Sequence, residues 1–461
     1  MNNPFAKERF KNLPEEGLTE VYQNPHIKLP FDLRDLVLFS NREHGDVPLR
    51  ALPYHHRSAD LGISTIIHEK DRKRHHVFCQ FDIKGGGFLF PEQHESKKVG
   101  VQAGELAGYP EAHLYPNSPE TPWGYDALGL MDERMANGAI QRAEQLSVLG
   151  MRVEGIAAVF RTDRIMVRGV EVPVTEFKRE AIERMRQLAK DESDPDEKQR
   201  YREMVKDIKE MFEPVIMIRL MRSIFRLRDL KDATSEQRQQ MLKEACQNVN
   251  YEQEALGLPE RLSVETSEGM MKFIEFISEW YGRNIGMLHG GGFTHEFLHM
   301  GNLTLAGEIV DLDSVQPVVK QVKYYGKPEN KSAWNTEHAL EPFFHETPEG
   351  GAWINPDVGM HRQPDERFTL PKCLVKDMRD ICFSLRMICK EDAIPLNIRK
   401  QEIRQSIAEA LIAGYIAGLS ESDSFEVIGI SSTQLVAAFR EIAGQVVRDA
   451  KRMPSVAPDE V

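Results

Sequence analysis

Five cysteines in 461 residues, odd in number and without a CxxC pair, leave no basis for a disulfide framework or a cysteine-rich zinc module. No run of 18 apolar residues occurs, and the opening MNNPFAKERFKNLPEEG lacks the apolar core of a secretory signal. The expectation is a cytoplasmic protein with no membrane partner. Basic residues are also short: 59 Lys and Arg stand against 72 Asp and Glu, and a net charge of −13 repels a phosphate backbone, which argues against nucleic acid as a partner. No internal repeat or low-complexity tract is visible. What is present, 41% hydrophobic and 28% charged residues, is the usage of an ordinary folded chain. The length allows roughly two to four structural units, or one large two-lobed enzyme.

Residues 1–60, rich in Pro, Asn, His and Arg, read as an irregular N-terminal extension. From Leu61 the runs GISTII and VFCQFDIK flank the charged stretch EKDRKRHH, the pattern of a β-hairpin ending at Lys84. A polar, Pro-rich loop follows over 91–124. From Asp126 to Leu149 the apolar residues fall on one helical side, with Gly150 as the stop. Two strands (VEGIAAVF, DRIMVRGVEVPV), a charged and solvated helix over 175–212, and the strand VIMIRLM come next. Helices are expected at 235–248 and 266–286, then in DMRDICFSLRMI and IRQSIAEALIAGYIAGL, before a tail at 451–461. Strands crowd the first half and helices the second, so the class is α+β. The layout is a strand-rich N-lobe over 61–225, with insertions at 91–124 and 175–212, and a helical C-lobe over 226–450.

The segment His289 to Val315 carries the chemistry. A glycine-rich stretch leads into His-Met-Gly-Asn, a short hairpin-like run and Ile-Val-Asp, with Asn302 and Asp311 nine residues apart. An amide oxygen and a carboxylate at one end of two short strands are hard oxygen ligands for Mg²⁺ or Mn²⁺, which bridges the phosphates of ATP. This is the pattern of protein-kinase-like folds; Asp313 is an ambiguous further ligand. A triphosphate also needs cations. Lys84, followed by Gly85, Gly86 and Gly87, is the natural candidate, with Glu144 or alternatively Glu133 to hold its ammonium. Arg219 and Arg226, seven apart, could reach the phosphates, or could be structural ion-pair residues.

The order Lys84-Gly-Gly-Gly, AEQLSVLGM around Glu144, Arg219 and Arg226, then His289-Gly290, Asn302 and Asp311 resembles the selenoprotein O family of pseudokinases. The resemblance implies a kinase-like fold that binds ATP in an inverted orientation and transfers AMP to Ser, Thr or Tyr hydroxyls of acceptor proteins. It would place Lys84, Arg219 and Arg226 on the phosphates, Glu144 on Lys84, and Asn302 and Asp311 on the metal facing Lys84. Gly301 stands where that family has an Asp that serves as a base, and Leu312-Asp313 follows the metal Asp in place of Tyr-Gly.

Three other readings stay open. His295-Glu296-Phe297-Leu298-His299 is an HExxH, which on a helix would hold Zn²⁺ for a peptidase. His299 to Asn302 also suits the His-x-Gly-Asn turn of small-molecule phosphotransferases. In those enzymes an Asp stands five residues before the Asn, where this chain has Phe297, with Glu296 or His295 as possible substitutes. That missing base also fits a catalytically silent nucleotide-binding scaffold.

Overall fold

A computed structural model describes residues 7–12, 17–29, 31–40, 47–51, 58–70, 75–85, 131–167, 170–211, 213–230, 233–258, 261–295, 297–318, 370, 372–386, 400–422 and 430–448. The fold is α+β, with most of the described strands gathered in one compact unit and most of the described helices in another. The first unit comprises residues 1–141 and 155–224, the second 142–154 and 225–461.

The first unit is built on strands β1 (Lys7–Asn12), β2 (Leu18–Gln23), β3 (Leu38–Ser40), β4 (Val47–Ala51), β5 (Ser58–Lys70), β6 (His75–Lys84), β7 (Met131–Asp132), β8 (Gly155–Thr162), β9 (Arg164–Val167), β10 (Val170–Pro173) and β11 (Pro214–Met221). Eight of them form a sheet in the order β2-β8-β11-β6-β5-β4-β1-β3, with β7 added to β11 and antiparallel pairing throughout. The run of β11, apolar apart from Arg219, marks a strand buried on both faces, and all eight of its residues are buried. Residues 1–60 are not an irregular extension, because β1 to β4 and the start of β5 are rungs of this sheet. Their short runs carry little periodicity, and backbone pairing supplied by distant strands is what makes them regular.

Helix α1 (Glu133–Val148) is shared, Glu133–Gln141 counting with the first unit and the rest with the second. It ends where Gly150, at φ 83°, takes a left-handed turn that lets Gly150 N–H reach Ser147 O and Met151 N–H reach Leu146 O. The expected solvated helix over 175–212 is instead two helices, α2 (Val174–Asp191) and α3 (Pro195–Met211). Phe177, Ala181 and Met185 recur every fourth residue and, with Ile208, join the core formed by Phe81, Ile83, Phe160, Ile216, Ile218 and Leu220. Burying one such phenylalanine contributes about 1.5–3 kcal/mol, enough to seat a helix whose remaining surface is charged.

The second unit holds α4 (Ser235–Ala255), α5 (Ser267–Gly290), α6 (Lys372–Arg386), α7 (Lys400–Glu421) and α8 (Ser432–Arg448). Thr234 and Gln237 close a capping box at the start of α4, and Thr266 caps α5. Gly282 and Gly286 of α5 lie against α7, whose Gly414 and Gly418 lie against α5; a Cβ at any of the four would run into the opposing backbone. Cys79, Cys246, Cys373 and Cys382 are buried free thiols, and among the described residues no helix is long and apolar enough to cross a membrane.

Candidate functional site

The second unit assembles a loop-and-hairpin site at the end of α5. After β12 (Phe293–Thr294), which pairs with β13 (Gln316–Pro317), the chain runs irregularly to His299, turns once through Met300–Asn302 and enters a hairpin in which Leu303 pairs with Ile309. Leu227 N–H to Leu303 O and Leu305 N–H to Phe225 O hold one edge of the hairpin, and Ile309 N–H to Arg152 O holds the other. Asn284 on α5 secures this frame, accepting from Arg152 N–H and donating to Arg152 O and Gly307 O.

The hairpin sets the backbones of Asn302 and Val310 side by side. Val310 N–H donates to Asn302 O at 3.0 Å, so Asp311 follows directly on the residue paired with Asn302. The Asn302 side chain is oriented: its Nδ2 donates to Phe297 O at 3.0 Å, which leaves Oδ1 as the acceptor. Asp311 is the one non-glycine residue with positive φ among those described, at φ 68° and ψ 50°. A left-handed Asp is uncommon, and such conformations cluster at ligand sites. The buried Glu154 holds it there by accepting from Asp311 N–H at 3.0 Å and Leu312 N–H at 3.4 Å.

The loop is tied down by a carboxylate that sequence reasoning missed. Asp377 of α6, fully buried, accepts from Thr294 Oγ1 at 2.6 Å, His295 N–H at 2.8 Å and His289 Nε2 at 3.4 Å. Burial alone would raise its pKa, but these hydrogen bonds and the His289 charge outweigh burial and hold the carboxyl below its ordinary value. Tyr415 of α7 completes the chain at 3.0 Å from His289 Nδ1. The sequence offered no clear clue, since Asp377 shares its helix with Lys376, Arg379 and Asp380.

His295 and residues 297–299 are not helical, which removes the reading of HExxH as a zinc site on a helix. His295 is buried with Nε2 on Val310 O at 3.1 Å, and the Glu296 side chain lies outside the described residues. His299 instead caps the following turn, its Nδ1 accepting from Gly301 N–H at 3.0 Å. Its ring is partly open to water, yet desolvation by packed neighbours and the nearby Arg228 push its pKa down to about 4. The consequence is a neutral imidazole at pH 7, and with Nδ1 accepting, Nε2 carries the proton. At Gly301 a Cβ would lie 2.8 Å from His299 Cε1, so a larger residue there requires the His299 ring to shift.

In the first unit Lys84 ends β6 with only 3% exposure, opposite Ser58 of β5 and Met217 of β11. Arg219 does not offer itself to phosphates as expected. Its guanidinium is at 0% exposure, with Nε and Nη2 donating to Asp82 Oδ1 at 2.8 and 2.7 Å and Nη2 to Ser58 Oγ at 2.9 Å. Arg226, in the second unit, braces the loop through Nη1 to Gly301 O at 2.6 Å. Gly85 has φ 96°, and a Cβ there would sit 2.5 Å from Val215 O, so the sheet explains this glycine without a nucleotide. Gly86 and Gly87 lie outside the described residues. Glu144 is on the exposed side of α1, and Glu133 accepts from Arg161 Nε at 2.7 Å.

No three His, Cys, Asp or Glu side chains cluster as a metal site among the described residues. The mixed pair Asn302 and Asp311 remains, and it suits a small hard cation that keeps several waters and binds phosphates beside one or two protein oxygens.

No protein-family model and no curated protein matches this chain. Among solved structures, the kinase domain of a Toxoplasma gondii specific rhoptry antigen is similar over 87% of this chain and 85% of its own, at 8% identity and a TM-score of 0.25. A score at that level carries no argument for a shared fold or activity.

Proposed function

We propose that this chain is a metal-dependent, ATP-using transferase with a kinase-like catalytic loop in its second unit. One observation carries the reading: Asn302 reaches back to Phe297 O, five residues earlier, while its own carbonyl pairs with the residue before a left-handed Asp311. In phosphotransfer enzymes the catalytic loop sets a base five residues before the metal-binding Asn, and a metal-binding Asp follows on the next short strand. By that count His295-Glu296-Phe297 stand where those enzymes have His-Arg-Asp.

Asn302 Oδ1 and the Asp311 carboxylate would hold Mg²⁺ or Mn²⁺, which when bound neutralises charge on the phosphate chain. AMP is the transferred group that the sequence resemblance favours, with a protein hydroxyl as its expected acceptor. ATP labelled at either the α or the γ phosphate distinguishes the outcomes. The expected result is metal-dependent retention of the α label on acceptor, lost in Asp311→Ala. Retention of the γ label instead makes the protein a phosphotransferase. Phe297 favours a second reading, a silent nucleotide-binding scaffold, which predicts metal-dependent ATP binding with neither label transferred.

A further inference from the structure

We propose that His68 and His75, on the exposed face of the β5–β6 hairpin in the first unit, form a two-nitrogen site for a divalent transition-metal ion, Zn²⁺ or Cu²⁺. The site stands apart from the transferase reading and does not depend on it. The two rings meet at their nitrogens: His68 Nδ1 lies 2.9 Å from His75 Nε2, with the ring centres 5.2 Å apart. Strand pairing brings them together. His75 stands opposite Lys70 and His68 opposite Val77, so the two histidines are diagonal neighbours on one face of the ladder. This end of the hairpin is anchored from behind. Glu69 is buried and accepts from Asn24 Nδ2 at 2.7 Å, Asn24 Nδ2 also donates to Ile156 O at 3.1 Å, and Lys70 N–H donates to His26 O at 3.3 Å. The backbones that carry both imidazoles are therefore fixed before any ion arrives, which lowers the ordering cost of binding.

A hydrogen bond between two neutral imidazoles uses one N–H and one lone pair. An ion that takes both nitrogens replaces that single proton and makes each ring a lone-pair donor. His75 is suited to this, because desolvation, then His68 and Lys70, lower its pKa and leave the ring neutral at pH 7. Two imidazoles on one tetrahedral ion, bound at about 2.0–2.1 Å, place their nitrogens roughly 3.3 Å apart. The pair is short of that by about 0.4 Å, which small rotations of the two rings supply. Imidazole nitrogen suits Zn²⁺, Cu²⁺ and Ni²⁺, whereas Mg²⁺ prefers oxygen, so this pair and the oxygens of Asn302 and Asp311 select different ions. Water fills the remaining positions. Lys70, exposed on the same face, repels a cation, and with only two protein ligands the ion exchanges readily.

The test titrates the full chain with Cu²⁺ alone, in excess Mg²⁺ to saturate any hard-ion site, and follows it by electron paramagnetic resonance. The expected result is a first equivalent of Cu²⁺ whose spectrum carries the splitting of two nitrogens and which Zn²⁺ displaces. His68→Gln and His75→Gln should each weaken that binding by about tenfold or more with circular dichroism unchanged, since even groups behind a metal ligand are worth 10–100-fold. Zn²⁺ should also raise the urea midpoint of the parent and of neither variant, because an ion held only by the folded hairpin stabilises it. A first equivalent bound equally by the parent and both variants overturns the proposal. So does a parent spectrum with one nitrogen or none, which needs no variant to read, or a Zn²⁺-dependent midpoint shift that survives both substitutions.

Discussion

Replacing Asp311 by Gly and by Ala separates the strain at this residue from its chemistry. At φ 68° and ψ 50° the backbone is in a region that costs an ordinary L-residue about 1–2 kcal/mol, somewhat less for Asp. Both variants lose the carboxylate and keep the backbone tether to Glu154, which uses only Asp311 N–H and Leu312 N–H. Alanine keeps the full left-handed penalty. Glycine removes it but gives back about 0.5–1 kcal/mol through its freer unfolded chain. The Gly variant should therefore be more stable than the Ala variant by about 1 kcal/mol, and at least as stable as the parent. Urea titrations followed by circular dichroism, with equal slopes confirming the same transition, measure the difference. Metal-dependent ATP binding should fall in both variants by more than about 100-fold, since changes one shell further out already cost 10–100-fold. Equal stability of the two variants would refute the strain argument, and binding retained in either would remove Asp311 from the metal.

Gly414→Ala on α7 should destabilise the protein by about 2 kcal/mol or more, because overpacking outweighs the roughly 1 kcal/mol gained in helix propensity. The new Cβ would sit 2.8 Å from Glu279 C and 2.9 Å from Arg283 N, so α5 and α7 must separate; an unchanged urea midpoint would show that they need not touch. His299 gives a pH signature. Its pKa of about 4 in the folded chain lies below the ordinary 6.5, so between those values the unfolded chain binds more protons and stability falls as pH drops through that window. Above pH 6.5 the effect vanishes. His299→Gln should lose less stability than the parent between pH 7 and 5, and an identical loss in both would contradict the depressed pKa.

Local pattern made part of this molecule readable. The β-branched and aromatic runs flanking a charged turn announced β5 and β6, the run VIMIRLM announced β11, and apolar spacing placed α1 and α4 to α7 within several residues. Gly-Asn before an apolar hairpin and Ile-Val-Asp located Asn302 and Asp311, because a hairpin is closed by near neighbours. The HExxH motif misled for the same reason: its spacing has meaning only on a helix, and Asp377, 82 residues away from His295, takes the His295 backbone N–H.

What the sequence by itself determined, then, is the α+β class and the approximate placement of the local elements, all set by residues within a few turns or one hairpin of each other. Only the tertiary structure decided that Arg219 is spent on Asp82, 137 residues distant, and that Glu154 fixes the left-handed Asp311. A buried charge must be matched by some partner, but sequence spacing does not say which, since any residue the fold brings within hydrogen-bonding reach satisfies the same electrostatic demand.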